Sequence, residues 1–188
     1  MTLIESFLLA LALCVDSLVV STTSAFRSKM AWGKGLLMAV VFGICQGLFP
    51  LLGALLGEKC KELVSSVDHW VAFGLLLAVG GKMIWDAFGE EEEERQLDVT
   101  SLGTMVLLGI ATSIDAFVVG IGFGLSSTLG EIVMTVVVIG VVTFVVSMVG
   151  VFLGKRNIPL PEKWATVAAG VVLIGLGTYT LLEHTVLG

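Results

Sequence analysis

Charge is scarce in this chain. Of its 188 residues 14% are Asp, Glu, Lys or Arg and 56% are hydrophobic, with a mean hydropathy of +1.04. A water-soluble domain of this length needs far more polar surface, so that class is excluded. Basic residues are the rarer sign: 10 Lys and Arg stand against 16 Asp and Glu, for a net charge of −6. No basic surface is available for nucleic acid. Cys14, Cys45 and Cys60 are the only cysteines and show no CxxC spacing. Neither a zinc site nor a disulfide framework is indicated, and Cys14 and Cys45, in apolar runs, read as small packing residues. His69 and His184 fall at expected helix ends, so imidazole is missing from the membrane centre. No ATP-binding loop and no catalytic triad appear. No enzyme and no cofactor are expected, and energy for any transport would come from an ion gradient, the membrane potential or a partner.

Long apolar runs are abundant. Six can cross a bilayer core, which takes ~20 apolar residues as helix: Leu3–Phe26, Gly35–Leu56, Val67–Phe88, Leu102–Leu125, Ile132–Leu153 and Trp164–Leu182. The expected fold is an all-α integral membrane protein with six transmembrane helices. The first run lacks a basic n-region and starts at Glu5, so it does not read as a cleavable signal peptide. "GEEEEERQLD" (Gly89–Asp98) is the one substantial charged connector. It suggests a first repeat over 1–88, an acidic cytoplasmic linker over 89–100 and a second repeat over 101–188. The run Glu90–Glu94 reads as a solvated linker. Arg27, Lys29, Lys34, Arg95, Lys155, Arg156 and Lys163 fall in odd-numbered loops, and only Lys59 and Lys61 in even-numbered ones. The positive-inside rule then puts the odd loops in the cytoplasm and both termini outside.

The two halves align. With Asp16 set over Asp115, Leu9 meets Leu108, Ala12 meets Ala111, and Val19 and Val20 meet Val118 and Val119. In the second helices Gly43, Gly53, Leu56 and Gly57 meet Gly140, Gly150, Leu153 and Gly154. The third helices match at Gly74/Gly170, Leu77/Leu173 and Gly81/Gly177. A repeat of three helices must re-enter the membrane from the opposite face, which makes the repeats inverted. Transporters with inverted repeats hold substrate near the midplane, where the halves meet.

That symmetry brings Asp16 and Asp115 to similar depth. A charged Asp at the centre of a membrane helix costs ~2.5–3.5 kcal/mol on the insertion scale, and two near each other repel. A cation between them relieves both penalties. Gln46 in the second helix, Thr112 beside Asp115, and Thr143 and Ser147 in the fifth helix add neutral oxygens, and Pro50 frees a carbonyl near Gln46. The expected metal ligands are therefore Asp16, Asp115, Gln46, Thr112, Thr143 and Ser147. Such oxygens suit magnesium, calcium or manganese. Met38, Met83, Met105, Met134 and Met148 read as gap fillers. Lys82, four residues before Asp86, reads as snorkelling or paired with it, and functionally as a movable countercharge.

"LALCVDSLVVS" (Leu11–Ser21), "GICQGLFPLLGALLG" (Gly43–Gly57), "GGKMIWDAF" (Gly80–Phe88), "ATSIDAFVVGIGFG" (Ala111–Gly124) and "LLEH" (Leu181–His184) together resemble the bacterial manganese efflux pump family of small six-helix inner-membrane proteins. The resemblance covers essentially the whole chain. It implies a multi-pass protein of the bacterial inner membrane that exports Mn(II) as substrate, with Asp16 and Asp115 as essential acidic residues. The resemblance, not the ligand chemistry, selects manganese and the outward direction. Proton exchange is the expected mechanism, because metal binding needs deprotonated carboxylates. The alternatives are a carrier of magnesium or calcium, or an exporter of small solutes. A thiol–disulfide carrier would need a cysteine in each first helix, and Cys14 aligns with Ser113.

Overall fold

The computed structural model describes residues 3–64 and 98–158, the side chains of 60–64 and 126 excepted, with isolated helical positions at 74, 77–78, 81, 84–85, 167, 171–172, 174–175 and 178. All regular structure among them is helical: α1 Leu3–Leu13, α2 Val15–Ser28, α3 Trp32–Val64, α4 Leu102–Ala111, α5 Ile114–Ser126 and α6 Leu129–Lys155. Apart from the isolated positions, the expected third and sixth helices lie outside the described residues. So do Glu90–Glu94 and the pair Lys82 and Asp86.

Among the described residues two helices are long and apolar enough to cross a membrane: Trp32–Lys59 within α3, with a hydropathy of 2.1, and Leu129–Lys155, with 2.9. The pairs α1–α2 and α4–α5 each pass the same test if counted as one bent span, which makes up to four. Both pairs differ from the expected continuous helices over Leu3–Phe26 and Leu102–Leu125. The first bends by 40° and the second by 46°, and each break falls just before an aspartate. α3 and α6 run past their expected limits at both ends, because hydropathy marks the hydrocarbon core and a helix continues beyond it. The start of α6 is fixed by a capping box, in which Thr128 N and Oγ1 donate to Glu131 Oε2 at 2.8 and 2.7 Å.

Neither break contains proline. Side-chain donors instead take helix carbonyls. Cys14 Sγ donates to Leu11 O at 3.2 Å, while Thr112 Oγ1 and Ser113 Oγ donate to Gly109 O at 3.2 and 2.7 Å. Such back-bonding competes with the backbone ladder and bends helices. The ladder resumes with Leu18 N donating to Cys14 O and Phe117 N to Ser113 O. Irregular backbone at membrane depth is tolerated only where protein or a cavity covers it. Cys14, Thr112 and Ser113 are all buried.

The packing of these helices follows the aligned pairs. A methyl group built on Gly53 would meet Phe117 O, and one on Gly150 would meet Leu18 O. Gly57 likewise faces Ile121 O, and Gly154 faces Thr22 O. Leu18 and Phe117 occupy equivalent places, as do Thr22 and Ile121. So α2 lies along α6 as α5 lies along α3, each pair parallel. Gly43 and Gly140 face each other's carbonyls where α3 and α6 cross antiparallel. Two buried clusters are related in the same way. One joins Leu9, Leu13, Ala116, Val119 and Ile139; the other centres on Phe42 and Met105, with Val20 and Leu108 against it. Val40, Ile44, Leu48 and Leu52 on α3, and Val133, Val137, Val141, Val145 and Val149 on α6, point outward at four-residue spacing. Those stripes suit hydrocarbon tails.

Candidate metal-ion site

Each aspartate occupies the second position of a half-helix. Asp16 follows Cys14, the N-cap of α2, and Asp115 follows Ser113, the N-cap of α5. The partial positive charge at a helix N-terminus stabilises a carboxylate in the first turn. This partly offsets the cost of placing the charge in a membrane span. Both residues are half-buried, and both carboxylate oxygens of Asp115 are buried.

The breaks lie close together. Leu13, the last residue of α1, shares a cluster with Ala116, the neighbour of Asp115. Gln46 of α3 reaches the first break, where its Nε2 donates to Leu13 O at 2.8 Å. That bond satisfies a carbonyl at the end of α1 and fixes the amide, leaving Oε1 buried with no hydrogen-bond partner among the described residues. Pro50 lies inside α3 one turn later, where its missing N–H leaves the Gln46 carbonyl outside the ladder. Thr143 and Ser147 of α6 have no exposed surface, and neither hydroxyl finds a partner among the described residues. Ser17 and Ser21 of α2 share that condition. Buried polar atoms ordinarily have partners, so these unpaired oxygens on α2, α3 and α6, with the two aspartates, make up the candidate site.

Of the six expected ligands, Gln46, Thr143 and Ser147 present unpaired oxygens. Thr112 sits in the second break, and its hydroxyl proton goes to Gly109 O. Lys82 and Asp86 lie outside the described residues. Among the described residues no three His, Cys, Asp or Glu side chains gather to hold a metal. A cation here would draw its remaining ligands from neutral oxygens, a donor set for hard divalent ions. Cys14 and Cys45 are free thiols. Met38 and Met105 are fully buried in a core cluster, as gap fillers are. The sequence reading missed the helix breaks themselves. Their signal was the back-bonding side chains, Cys14 before Asp16 and Thr112–Ser113 before Asp115.

One end of the bundle collects cationic side chains. Lys155 Nζ donates to Met30 O and lies 4.9 Å from the Trp32 ring centre, which joins the end of α6 to the α2–α3 turn. Arg27, Lys29 and Lys34 flank that turn. Asp98, leading into α4, accepts from Thr100 Oγ1 and N at 2.7 and 3.0 Å. Those bonds, with the Lys34 charge, hold its carboxyl below the usual range.

Fold and site together define a polytopic helical membrane protein whose two broken spans share one core. The chain belongs to the family described as "Putative manganese efflux pump", whose model matches residues 29–181. Proteins named "Putative manganese efflux pump MntP" are similar along nearly their full length. The one from Gloeothece citriformis is 40% identical over 185 residues, covering 98% of this chain and 97% of the relative. The one from Phocaeicola vulgatus is 40% identical over 192 residues, 98% of each. The one from Crocosphaera subtropica is 36% identical over 187 residues, 99% of this chain and 98% of the relative. No solved structure matches the chain.

Proposed function

We propose that this chain is a secondary transporter of the bacterial inner membrane that exports Mn(II) from the cytoplasm in exchange for protons. Asp16 and Asp115 hold the ion near the midplane of two inverted three-helix repeats, with the termini outside. Gln46, Thr112, Thr143 and Ser147 supply neutral oxygens. The observation that carries this reading is the pair of helix breaks: each puts a carboxylate in the first turn of a half-helix, in a core with buried oxygens that lack partners among the described residues. The reciprocal glycine contacts support the inverted arrangement, and the gathered cations support a cytoplasmic face at the Lys155 end. Manganese, among the hard divalent ions, is favoured by the names of the relatives.

Charge balance sets the cycle. A divalent ion with two ionised aspartates makes a neutral site, and so do two protons on the empty site. Either form crosses the low-dielectric state without a net buried charge. Metal binding releases protons, so metal and protons compete for one place and move in opposite directions.

The test is uptake of manganese, magnesium and calcium into inside-out vesicles, with and without a pH gradient. Manganese should be preferred and should release protons, and Asp16→Asn and Asp115→Asn should each abolish transport while the protein still inserts. Near-normal manganese transport by either variant would make that aspartate structural and sink the paired-carboxylate site.

A further inference from the structure

The two parallel helix pairs share a backbone plan but differ in what fills them. Between α2 and α6, Ser17 and Ser21 lie one turn apart, as do Thr143 and Ser147. Ser21 Cβ is among the atoms nearest a methyl built on Gly150, so the serine face of α2 is turned to α6. Thr143 and Ser147 continue the row of Gly150 and Gly154, which face α2. All four hydroxyls have zero exposure and no partner among the described residues. In the mirror interface, between α5 and α3, the equivalent places hold Ala116, Gly120, Gln46 and Pro50.

Spacing differs as well as chemistry. A methyl built on Gly120 would lie 2.2 Å from Pro50 O, while Ser21 at the equivalent place carries a whole side chain. A methyl on Gly53 would lie 2.1 Å from Phe117 O, but its counterpart on Gly150 would lie 2.8 Å from Leu18 O. The interface between α2 and α6 is thus the looser one, and it runs from the level of Asp16 toward the end bearing Arg27 and Lys155.

We infer that Ser17, Ser21, Thr143 and Ser147 line a water-filled passage that opens between α2 and α6 and connects the aspartates to the Lys155 end, while the glycine-tight interface between α3 and α5 stays sealed at the equivalent depth. The occupant is water and the hydrated divalent cation, because a file of hydroxyls offers donors and acceptors to water, lone pairs to the hydrated ion, and charge to neither. In this structure the passage is shut: Gly154 packs against Thr22 O, and Lys155 is tied to Met30 O. The inference rests on the transport reading above and adds the route by which the ion arrives.

Single cysteines test it in a transporting chain from which Cys14, Cys45 and Cys60 have been replaced. The probe is a membrane-impermeant cationic methanethiosulfonate, and Asn157→Cys marks the side to which α6 ends. Ser21→Cys and Ser147→Cys should react from the Asn157 side and be protected by manganese, while Ala116→Cys stays silent from both sides. Silence at Ser21 and Ser147, reaction from the opposite side alone, or equal reaction at Ala116 would overturn the passage. Should the cysteine-free chain fail to transport, Ser21→Ala in the native chain decides. Its hydroxyl has no bond to lose among the described residues, so the fold should hold, and the maximal transport rate should fall about fivefold, the loss of one hydrogen bond to the water of the passing ion. An unchanged rate would overturn the inference. The two readings fail separately. Transport that survives Asp16→Asn or Asp115→Asn strikes the site, and dead aspartate variants combined with silent Ser21→Cys and Ser147→Cys strike only the passage.

Discussion

The helix pair α2 and α6 and the helix pair α5 and α3 are built on one plan and finished differently. At the contact farther from the aspartates, Gly154 and Gly57 are equally tight, with 2.2 Å from a built methyl to Thr22 O and to Ile121 O. One turn nearer the aspartates they diverge, and the first pair holds Ser21 where the second has Gly120 packed on Pro50 O. Equivalent positions therefore keep the backbone close approach, which glycine sets, and differ in their filling. Close approach sets the helix spacing at equivalent depths, and the filling sets which polar groups lie there.

Forcing a methyl into both interfaces tests this comparison most severely. Gly53→Ala drives Cβ against the Phe117 carbonyl, a backbone atom that cannot rotate away. The cost should be about 3 kcal/mol, the upper end for overpacking. Gly150→Ala meets Leu18 O at 2.8 Å and side-chain atoms of Ser21 and Thr22 at 3.0 and 3.1 Å. The Leu18 carbonyl is backbone too, so the helices must shift, but the overlap is smaller and the cost should lie at the lower end for overpacking, about 1 kcal/mol. Thermal unfolding in detergent measures both. Equal losses would mean that the interfaces are equally tight and that the difference in spacing carries no energy.

A second contrast lies between Gln46 and its counterpart Thr143. The Gln46 amide closes a buried carbonyl at the first break, whereas the Thr143 hydroxyl has no partner among the described residues. Gln46→Ala exposes Leu13 O to an apolar cavity and should cost ~1–3 kcal/mol. Thr143→Val keeps shape and removes only an unpaired hydroxyl, so stability should hold or rise slightly. A Thr143→Val variant that loses as much as Gln46→Ala would show that Thr143 holds the second break as Gln46 holds the first.

The sequence made some of this visible and hid the rest for identifiable reasons. Hydropathy located α3 and α6, because a long apolar helix with few charges has no competing reading. Aligning Asp16 with Asp115 singled out the candidate site, because charge in an apolar run stands out. The breaks were hidden because a back-bonding Cys, Ser or Thr is also an ordinary small residue of membrane helices, with no proline to signal a kink. The looser interface was hidden because Ser21 against Gly120 and Ser147 against Pro50 look like drift until both pairs are seen to face the same way.

The smallest contrast is at the far ends of the two clusters. Ser6 and Thr135 share a buried hydroxyl–hydroxyl bond of 2.9 Å between α1 and α6. The equivalent residues of α4 and α3 are Met105 and Met38, both fully buried. The bent span of the first half is thus joined to the long helix of the second by a hydrogen bond, and the bent span of the second to the long helix of the first by thioether packing. Inside a membrane such a bond contributes only ~0.6 kcal/mol, since the separated helices also find partners. A double-mutant cycle on Ser6→Ala and Thr135→Val, read by thermal unfolding, should return a coupling of that size. Thr135→Val preserves volume, so the coupling isolates the bond and not a cavity. Met38→Leu in the mirror position changes shape at similar volume and should cost less than ~1.5 kcal/mol, with no hydrogen-bond coupling to any partner. A coupling near zero at Ser6 and Thr135 would mean that both hydroxyls turn to their own helix carbonyls, leaving the two halves joined by packing alone.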